Sequence, residues 1–355
     1  MNTLPIGRPW ETSIYVYAVI PAQPGADEAI GASSASGRLW TIAEGPFAAV
    51  LGDGPNAESR GLSREDLVRQ LLAHQKTIEQ IMQAAPVLPV KFGTSVPDEA
   101  SVRSFLERGR PAFQAAFDRL AGCVQMEILV KWDVDAVFAE IANEEAIAGL
   151  KKKWKLHIDA PEDALRFAIG KLVKQSLDRR REALAASLSE ALRTVAVDVI
   201  ANPVIADRVV SHLVLLMKAG EMPALDRCLE AFDASHGGLT CRCVGPLAPY
   251  SFATVEIEIV DAAALNKAMR LLGVGPHSSV AQVRLAYRRA AKSVHPDAVG
   301  AGGNAGMAAL SEACRILSLN AETGSRQLGM DKASSADRSV IVSVRRQEGA
   351  LDAAA

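Results

Sequence analysis

One stretch of the sequence, residues 71–94, changes from a helical to a strand pattern across a single proline. Five apolar residues recur at three- and four-residue spacing in its first half, which is typical of an amphipathic helix: Leu71, Leu72, Ile78, Ile81 and Met82. Pro86 ends this helix, because proline lacks a backbone N–H and disfavours helical backbone at the preceding residue. Four apolar residues then predict a short buried strand: Val87, Leu88, Val90 and Phe92. The stretch therefore predicts a helix packed on a sheet, without a nucleophile–base pair.

The flanking residues complete a first predicted domain over 13–122, preceded by a flexible tail over 1–12. Its further elements are a strand at 13–20, a hairpin at 38–42 and 46–51, and a second helix at 98–120. Ser63, with Asp66 three residues on, is the predicted N-cap of the first helix. This succession of strands and helices indicates an α+β layer arrangement.

A second domain is predicted over 123–260. Its elements are strands at 123–132, 204–217, 240–244 and 252–259, and helices at 138–150, 162–201 and 225–235. The long helix carries a charged segment, residues 178–182, with the sequence DRRRE. We expect this segment to be a solvated helix face, and a specific anion-binding site is the alternative.

Composition excludes several classes of protein. The 355-residue chain has a formal net charge of −2, which gives no reason to expect nucleic-acid binding. Its five cysteines are too scattered for a disulfide scaffold, so we expect reduced thiols and a cytosolic location. The N-terminal residues lack a signal-peptide pattern. The most apolar window, residues 204–217, is too short to span a bilayer, so no membrane partner is expected.

Three segments in one order carry a family resemblance: SIYVYAVI, AHQKTIEQIMQAAPVLPVKFGT and GPLAPYSFATVEI. Over residues 13–260 the chain resembles the gas vesicle protein L/F family, although Leu247 stands where that family often has tryptophan. The resemblance implies an N-terminal α/β domain, a ferredoxin-like second domain with long helices, and a role in building gas vesicles. Its implied partners are the small hydrophobic shell protein and other gas vesicle proteins. Six residues of these segments are candidates for partner contact: His74, Gln75, Pro89, Phe92, Pro249 and Tyr250.

After residue 260 the sequence pattern becomes helical. It predicts a small all-α module over 261–328, followed by a flexible tail over 329–355. Its segment LLGVGPHSSVAQVRLAYRRAAKSVHPD resembles the J-domain of DnaJ-type co-chaperones. The resemblance implies that a DnaK-type chaperone is a partner. It assigns docking to the basic helix face and ATPase stimulation to the following loop. The residues concerned are Tyr287, Arg288, Arg289, His295, Pro296 and Asp297.

Departures from the J-domain pattern keep two functions open. Lys292 replaces an apolar residue, Met307 stands where phenylalanine is usual, no lysine follows the His-Pro-Asp motif, and a fourth helix is not evident. The leading hypothesis is an assembly factor that binds shell subunits and recruits a chaperone. The alternative is a minor structural shell component whose degenerate J-fold serves only for protein binding.

Catalysis and cofactors are not expected. No motif assembles an acid, a base and a nucleophile, so we predict that the protein is not an enzyme. His236 with Cys241 and Cys243 suggests a metal site, but two further ligands are missing nearby. We therefore predict neither a metal nor another cofactor.

Overall fold

The structure is a computed structural model that describes residues 13–25, 30, 38–54, 63–155, 162–294, 303–324 and 338–347. Its contacts divide the chain into two units. The first unit comprises Met1–Ala121 and Ala253–Arg346, and the second comprises Gly122–Phe252 and Gln347–Ala355. This division differs from the predicted domains, because most of the residues after 252 return to the first unit. The predicted tail at 1–12 lies outside the described residues.

The first unit begins with an antiparallel sheet whose strand order is β2-β3-β1-β4, with β5 pairing beside β4 on β1. The strands are β1 (Ile14–Pro21), β2 (Leu39–Glu44), β3 (Phe47–Gly52), β4 (Leu88–Pro89) and β5 (Ser95–Val96). All six residues of β3 and six of the eight in β1 are buried, as continuous apolar strands require. The predicted hairpin is confirmed, and Gly45 turns it at a φ of 62°, where a residue with a Cβ is strained.

Two helices of the first unit, α1 (Arg64–Ala84) and α2 (Glu99–Leu120), start at the predicted positions. The Ser63 hydroxyl accepts a hydrogen bond from the Asp66 backbone N–H at 3.1 Å, and the Asp98 carboxylate accepts one from Ser101 at 2.8 Å. Such caps satisfy backbone donors that a helix leaves unpaired at its first turn. Helical spacing predicts one apolar face for α2, and five of its six residues are buried while Phe117 is half-buried: Val102, Phe105, Leu106, Phe113 and Leu120.

The second unit is built on a four-stranded antiparallel sheet of order β7-β8-β6-β9. Its strands are β6 (Cys123–Trp132), β7 (Asp198–Asn202), β8 (Val209–Lys218) and β9 (Leu239–Leu247). Its helices are α3 (Val134–Ala142), α4 (Glu145–Lys155), α5 (Glu162–Arg193) and α6 (Met222–Ser235), the last preceded by a 3-10 turn at Ala219–Glu221. The long helix ends at Arg193 instead of the predicted 201, because the next residues with strand character pair with β8 as β7.

The predicted last strand of the second domain belongs to the first unit. Strand β10 (Thr254–Asp261) does not join the β7-β8-β6-β9 sheet, and its residue Val255 forms a parallel bridge with Val90. A further strand, β11 (Arg338–Arg345), pairs with β10 along all eight residues. Part of the predicted flexible tail is therefore a strand, and its residues 339–344, SVIVSV, are rich in the β-branched side chains that strands favour.

Three helices connect the last two strands of the first unit. They are α7 (Ala262–Leu272), α8 (Val280–Val294) and α9 (Gly303–Gly324). Their shared core contains Leu272, Val283, Leu310 and Leu317. A second apolar cluster joins α9 to the strands through Ile316 and Leu319. The predicted helices are therefore present. Helices α7 and α9 pack against β10 and β11 within the first unit, and α8 packs on α9 and α7.

Within the described part of the chain, none of the helices combines the length and the apolar character that crossing a bilayer requires.

Candidate partner-binding site

His74 links the two halves of the 71–94 stretch from within the core. Its side chain lies on the face of α1 that packs on β1, and the residue is 3% exposed. The Tyr15 hydroxyl lies 2.9 Å from His74 Nδ1 and accepts a hydrogen bond from the Gly93 backbone N–H at 3.0 Å. The Tyr15 proton is thus available to His74, whose Nδ1 is then the accepting nitrogen. Tyr17 stacks on the imidazole at 5.4 Å, and Phe92 meets it edge-on at 5.4 Å.

The electrostatics of this cluster keep its groups neutral. Burial lowers the pKa of His74 to about 4, against the opposing effect of a hydrogen bond with the Val90 backbone. Burial raises the pKa of Tyr15 to about 12, although the Gly93 hydrogen bond acts in the other direction. A general acid or base works best with a pKa near the operating pH, and neither group has one. The cluster therefore holds α1, β1 and the strand after Pro86 together.

The six residues proposed for partner contact lie largely inside the fold. Those that are buried are His74, Pro89 and Pro249, and those that are half-buried are Gln75, Phe92 and Tyr250. Pro89 stands opposite Ala18 in the β1–β4 pairing, and Gln75 donates a hydrogen bond to Glu79 at 3.2 Å. The buried side chains cannot meet a partner while the fold is intact, which corrects their assignment as contact residues. The half-buried three remain candidates.

An exposed apolar surface lies instead on the first half of α1. Four of the ten large apolar side chains that are exposed among the described residues stand there: Leu67 (45%), Val68 (48%), Leu71 (45%) and Leu72 (59%). We call these four residues the α1 stripe. Residues four apart lie on the same side of a helix, so the 67–71 and 68–72 pairs form one continuous surface. Contiguous exposed apolar surface, unlike scattered single residues, is typical of interaction sites.

The sequence pattern assigned part of this stripe to the core. Leu71 and Leu72 continue the periodicity of Ile78 and Ile81, and periodicity alone predicts burial for all four. In the structure the buried face of α1 starts only at His74, and the turns before it carry no buried residue. Leu71 and Leu72 are exposed because the sheet covers only part of α1. The residue pattern gives no information about how much of a helix is covered.

The C-terminal helices expose a basic surface. Arg288 and Arg289 are exposed on α8, and so are Arg284 and Lys292. None of these four has an ion-pair partner among the described residues. Tyr287 is half-buried, with its hydroxyl 3.2 Å from the Ser311 hydroxyl on α9. The predicted trigger residues His295, Pro296 and Asp297 lie outside the described residues.

The basic segment of α5 is occupied by ion pairs within the second unit. Arg180 donates to Glu140 at 2.6 Å and to Glu144 at 2.9 Å, which raises its pKa above the usual value. Arg181 pairs with Asp178 at 3.1 Å and with Asp207 at 3.4 Å. These arginines therefore join α5 to neighbouring elements of the second unit. They form neither the expected solvated face nor the alternative anion-binding site.

The suspected metal ligands do not converge. Cys241 and Cys243 are exposed residues of β9, although partial desolvation of their thiols raises the pKa of each. His236 stacks on Phe232 at 4.3 Å, and its Nδ1 lies 2.9 Å from the Ser235 hydroxyl. Within the part of the chain that the structure describes, no three His, Cys, Asp or Glu side chains are grouped to hold a metal ion.

Comparison with known proteins finds one family. A family model described as gas vesicle synthesis protein GvpL/GvpF matches residues 13–254. Gas vesicle protein F of Streptomyces sp. (strain CB03234) is 24% identical over 248 residues, which cover 68% of this chain and 99% of that protein. The match therefore ends before β11 and the three C-terminal helices.

Two solved structures share the fold. The crystal structure of the gas vesicle protein GvpF from Anabaena sp. PCC7120 superposes with a TM-score of 0.56 at 21% identity, covering 68% of this chain and 98% of that one. GvpF from Microcystis aeruginosa gives a TM-score of 0.53 at 20% identity, with 67% and 98% covered. At these identities the likeness shows a common fold.

Proposed function

This chain belongs to the gas vesicle synthesis protein GvpL/GvpF family, and from that membership we propose that it is a gas vesicle accessory protein that binds the hydrophobic shell subunit. Its task would be to hold or deliver this subunit during assembly of the vesicle shell. A binder for a very apolar subunit needs apolar surface of its own that stays in solution when empty. We propose that this role is not enzymatic, since the buried His74 and Tyr15 are both far from a catalytic pKa.

The observation that carries this proposal is the α1 stripe. Covering the exposed parts of its four side chains would contribute about 3–5 kcal/mol to binding. This is a substantial share of the roughly 8 kcal/mol that a micromolar complex requires. The stripe belongs to a regular helix with a formed N-cap, so docking on it needs little ordering of the backbone. An apolar helix or hairpin of a shell subunit fits such a surface.

A specific observation supports chaperone recruitment as a further part of this function. Arg288 and Arg289 project from α8 without acidic partners in the described residues, on the helix that precedes the His-Pro-Asp motif. We propose that this basic face docks on an acidic surface of a DnaK-type chaperone, as the resemblance to J-domains implies. The chaperone would then act on shell subunits held by the rest of the chain.

In the alternative function, the protein still serves in gas vesicles but does not recruit a chaperone. In that case the protein is a minor structural component of the shell, and its C-terminal helices serve only for protein binding. The packing of α9 against β11 favours this alternative, since it gives these helices a structural task within the first unit.

The test is a binding measurement with a matched control. Val68→Lys with Leu72→Lys places two charges in the α1 stripe, and both residues are exposed, so folding should be preserved. We expect the affinity for the shell subunit, presented as a soluble fusion protein, to fall at least tenfold. Ile205→Lys is the control, because this residue is 96% exposed in the second unit, outside the stripe. Equal affinity of the stripe variant and the control would refute the assignment of this surface.

A further inference from the structure

A second basic surface lies where α4 ends and α5 begins. Residues 151–174 contain seven lysine or arginine residues and three aspartate or glutamate residues, whereas the whole chain has a formal net charge of −2. The positive charge is therefore concentrated in this segment, and the rest of the chain is acidic. Five of the cations are exposed and have no ion-pair partner in the described part of the chain: Lys152, Lys153, Lys155, Arg166 and Lys171.

Helix packing within the second unit brings these cations together. The guanidinium carbon of Arg166 on α5 lies 6.0 Å from the ring centre of Trp154, a half-buried residue of α4. This distance is within the range of a cation–π contact, so the end of α4 lies beside the start of α5. The three lysines lie within one turn of α4, and Lys171 follows Arg166 by about one and a half turns of α5.

An exposed aromatic ring lies among these charges. Phe167 is 76% exposed, and it is the only aromatic residue among the ten large apolar side chains that are exposed in the described part of the chain. It directly follows Arg166, and Lys171 lies four residues further on, on the same side of the helix. We call the five cations and Phe167 the α4–α5 patch. Asp163, which is exposed four residues before Phe167, is an acidic neighbour that the five cations outnumber.

The α4–α5 patch differs from the other basic segment of the same helix. Arg180 and Arg181 pair with carboxylates of the second unit and join α5 to its neighbours. Apart from the contact of Arg166 with Trp154, the α4–α5 patch makes no such link among the described residues. An exposed aromatic ring beside several cations without acidic partners is typical of a binding surface.

The residue types of the patch distinguish between possible anionic partners. Four of its five cations are lysines. Protein–protein interfaces are depleted in lysine, and nucleic-acid recognition favours the planar fork of donors that arginine provides. Successive bases of a single strand also need more than one stacking ring. Lysines beside an exposed aromatic ring are instead typical of helices that lie on anionic bilayers, where the ring enters the headgroup region.

We propose that the α4–α5 patch attaches the protein to the surface of an anionic lipid bilayer, with the ring of Phe167 in the headgroup region. Each basic residue near such a surface strengthens binding by a factor of about five. The acidic rest of the chain is repelled by the same surface, so the charge distribution favours one orientation.

Attachment to a bilayer surface is distinct from spanning the bilayer. The expectation that the chain has no membrane partner rests on the length of residues 204–217, and therefore concerns spanning alone. The proposal is also independent of the proposed function, since the α1 stripe belongs to the first unit and the α4–α5 patch to the second.

Co-sedimentation of the full-length chain with vesicles tests the proposal. The probes are vesicles of phosphatidylcholine mixed with the anionic lipid phosphatidylglycerol, and vesicles of phosphatidylcholine alone. We expect the wild type to bind the anionic vesicles roughly tenfold or more tightly than the neutral ones, and to lose this preference at high salt. Equal binding to both kinds of vesicle, or binding to neither, would overturn the proposal.

Matched variants test whether the patch is the binding surface. Lys152→Gln with Lys153→Gln should weaken binding to the anionic vesicles roughly tenfold or more, because two of the five cations are lost. Lys76→Gln with Lys267→Gln is the control, since it removes the same charge from the first unit, and its effect should stay below about twofold. All four lysines are exposed, so folding should be preserved. Equal losses in the two variants would show that only net charge matters, and would overturn the patch.

The aromatic ring has a test of its own. Phe167→Gln should weaken binding to the anionic vesicles about fivefold, because the ring no longer leaves water. Phe167→Trp should keep the binding, and its added fluorescence relative to the wild type should shift to shorter wavelength when anionic vesicles are present. A ring that lies in water would show no shift, and that result would overturn its placement in the headgroup region.

A fluorescent single-stranded oligonucleotide distinguishes lipid from nucleic acid. We expect it to bind the wild type more weakly than the anionic vesicles do. Tight binding of the oligonucleotide that Lys152→Gln with Lys153→Gln abolishes, without binding to anionic vesicles, would overturn the lipid in favour of a nucleic acid. None of these probes contains the shell subunit, so failure of lipid binding leaves the proposed function in place.

Discussion

His74 should make the stability of the first unit depend on pH between about 6.5 and 4. Its pKa is about 4 in the folded protein, against 6.5 as the ordinary value. Because the folded pKa is the lower one, the unfolded chain binds the proton first as the pH falls. The stabilisation is therefore fully present above pH 6.5 and is lost as the pH falls toward 4. Integrated from pH 7.5 to 4.5, the loss is about 2–3 kcal/mol.

The variant His74→Asn removes this titration and isolates its contribution. Asparagine keeps a polar atom near the position of Nδ1, opposite the Tyr15 hydroxyl, but loses the ring contacts with Tyr17 and Phe92. We expect it to cost about 2–4 kcal/mol at pH 7.5. Between pH 7.5 and 4.5 its stability should then fall by about 2–3 kcal/mol less than that of the wild type, because all other titrating groups are shared.

The measurement is hydrogen exchange in increasing urea, followed in peptides from β1 and α1, so that it reports on the first unit. Exchange rates are corrected for their intrinsic dependence on pH. Parallel pH profiles of wild type and variant, within about 0.5 kcal/mol, would refute a buried neutral His74.

Four further outcomes are expected. Gly45→Ala should destabilise the first unit by about 1–2 kcal/mol, seen as a lower melting temperature, because φ is 62° there. Gly149→Ala should instead stabilise its helix by about 0.5–1 kcal/mol, since no described atom lies within 4 Å of the added Cβ; a lower melting temperature would contradict this. Arg288→Glu with Arg289→Glu in the full-length chain should weaken any stimulation of a DnaK-type ATPase, and less so at high salt. His295→Gln should abolish that stimulation. If the wild-type chain itself never stimulates the ATPase, only the alternative function remains, a minor structural component of the shell.

Local signals were sufficient for most elements of the first 120 residues, although the strand predicted from Val87 to Phe92 is reduced to β4 and the short strand β5 was not predicted. The cap at Ser63 and the break at Pro86 depend on residue types whose backbone preferences act over a few positions. They predict α1 and the strand after it without knowledge of the rest of the chain. His74 was also visible in principle, because it stands on the apolar face four residues before Ile78, where a polar side chain is buried with a partner.

Strand pairing between distant segments explains why the sequence pattern assigned some elements to the wrong domain. The partner of Thr254 is Arg345, far along the chain, and neither segment specifies the other. Residues 252–259 therefore looked like the end of the second domain, although β10 belongs to the first unit. The exposure of Leu71 and Leu72 has a similar origin, since it depends on how far the sheet extends beneath α1.

The most direct test of shell binding is complementation in a strain that lacks this gene. We expect such cells to contain no gas vesicles, and wild-type protein to restore them. The variant Val68→Lys with Leu72→Lys should fail to restore them at equal protein level, whereas Ile205→Lys should succeed. Normal vesicles in cells that make only the stripe variant would contradict the α1 stripe as the shell-binding surface.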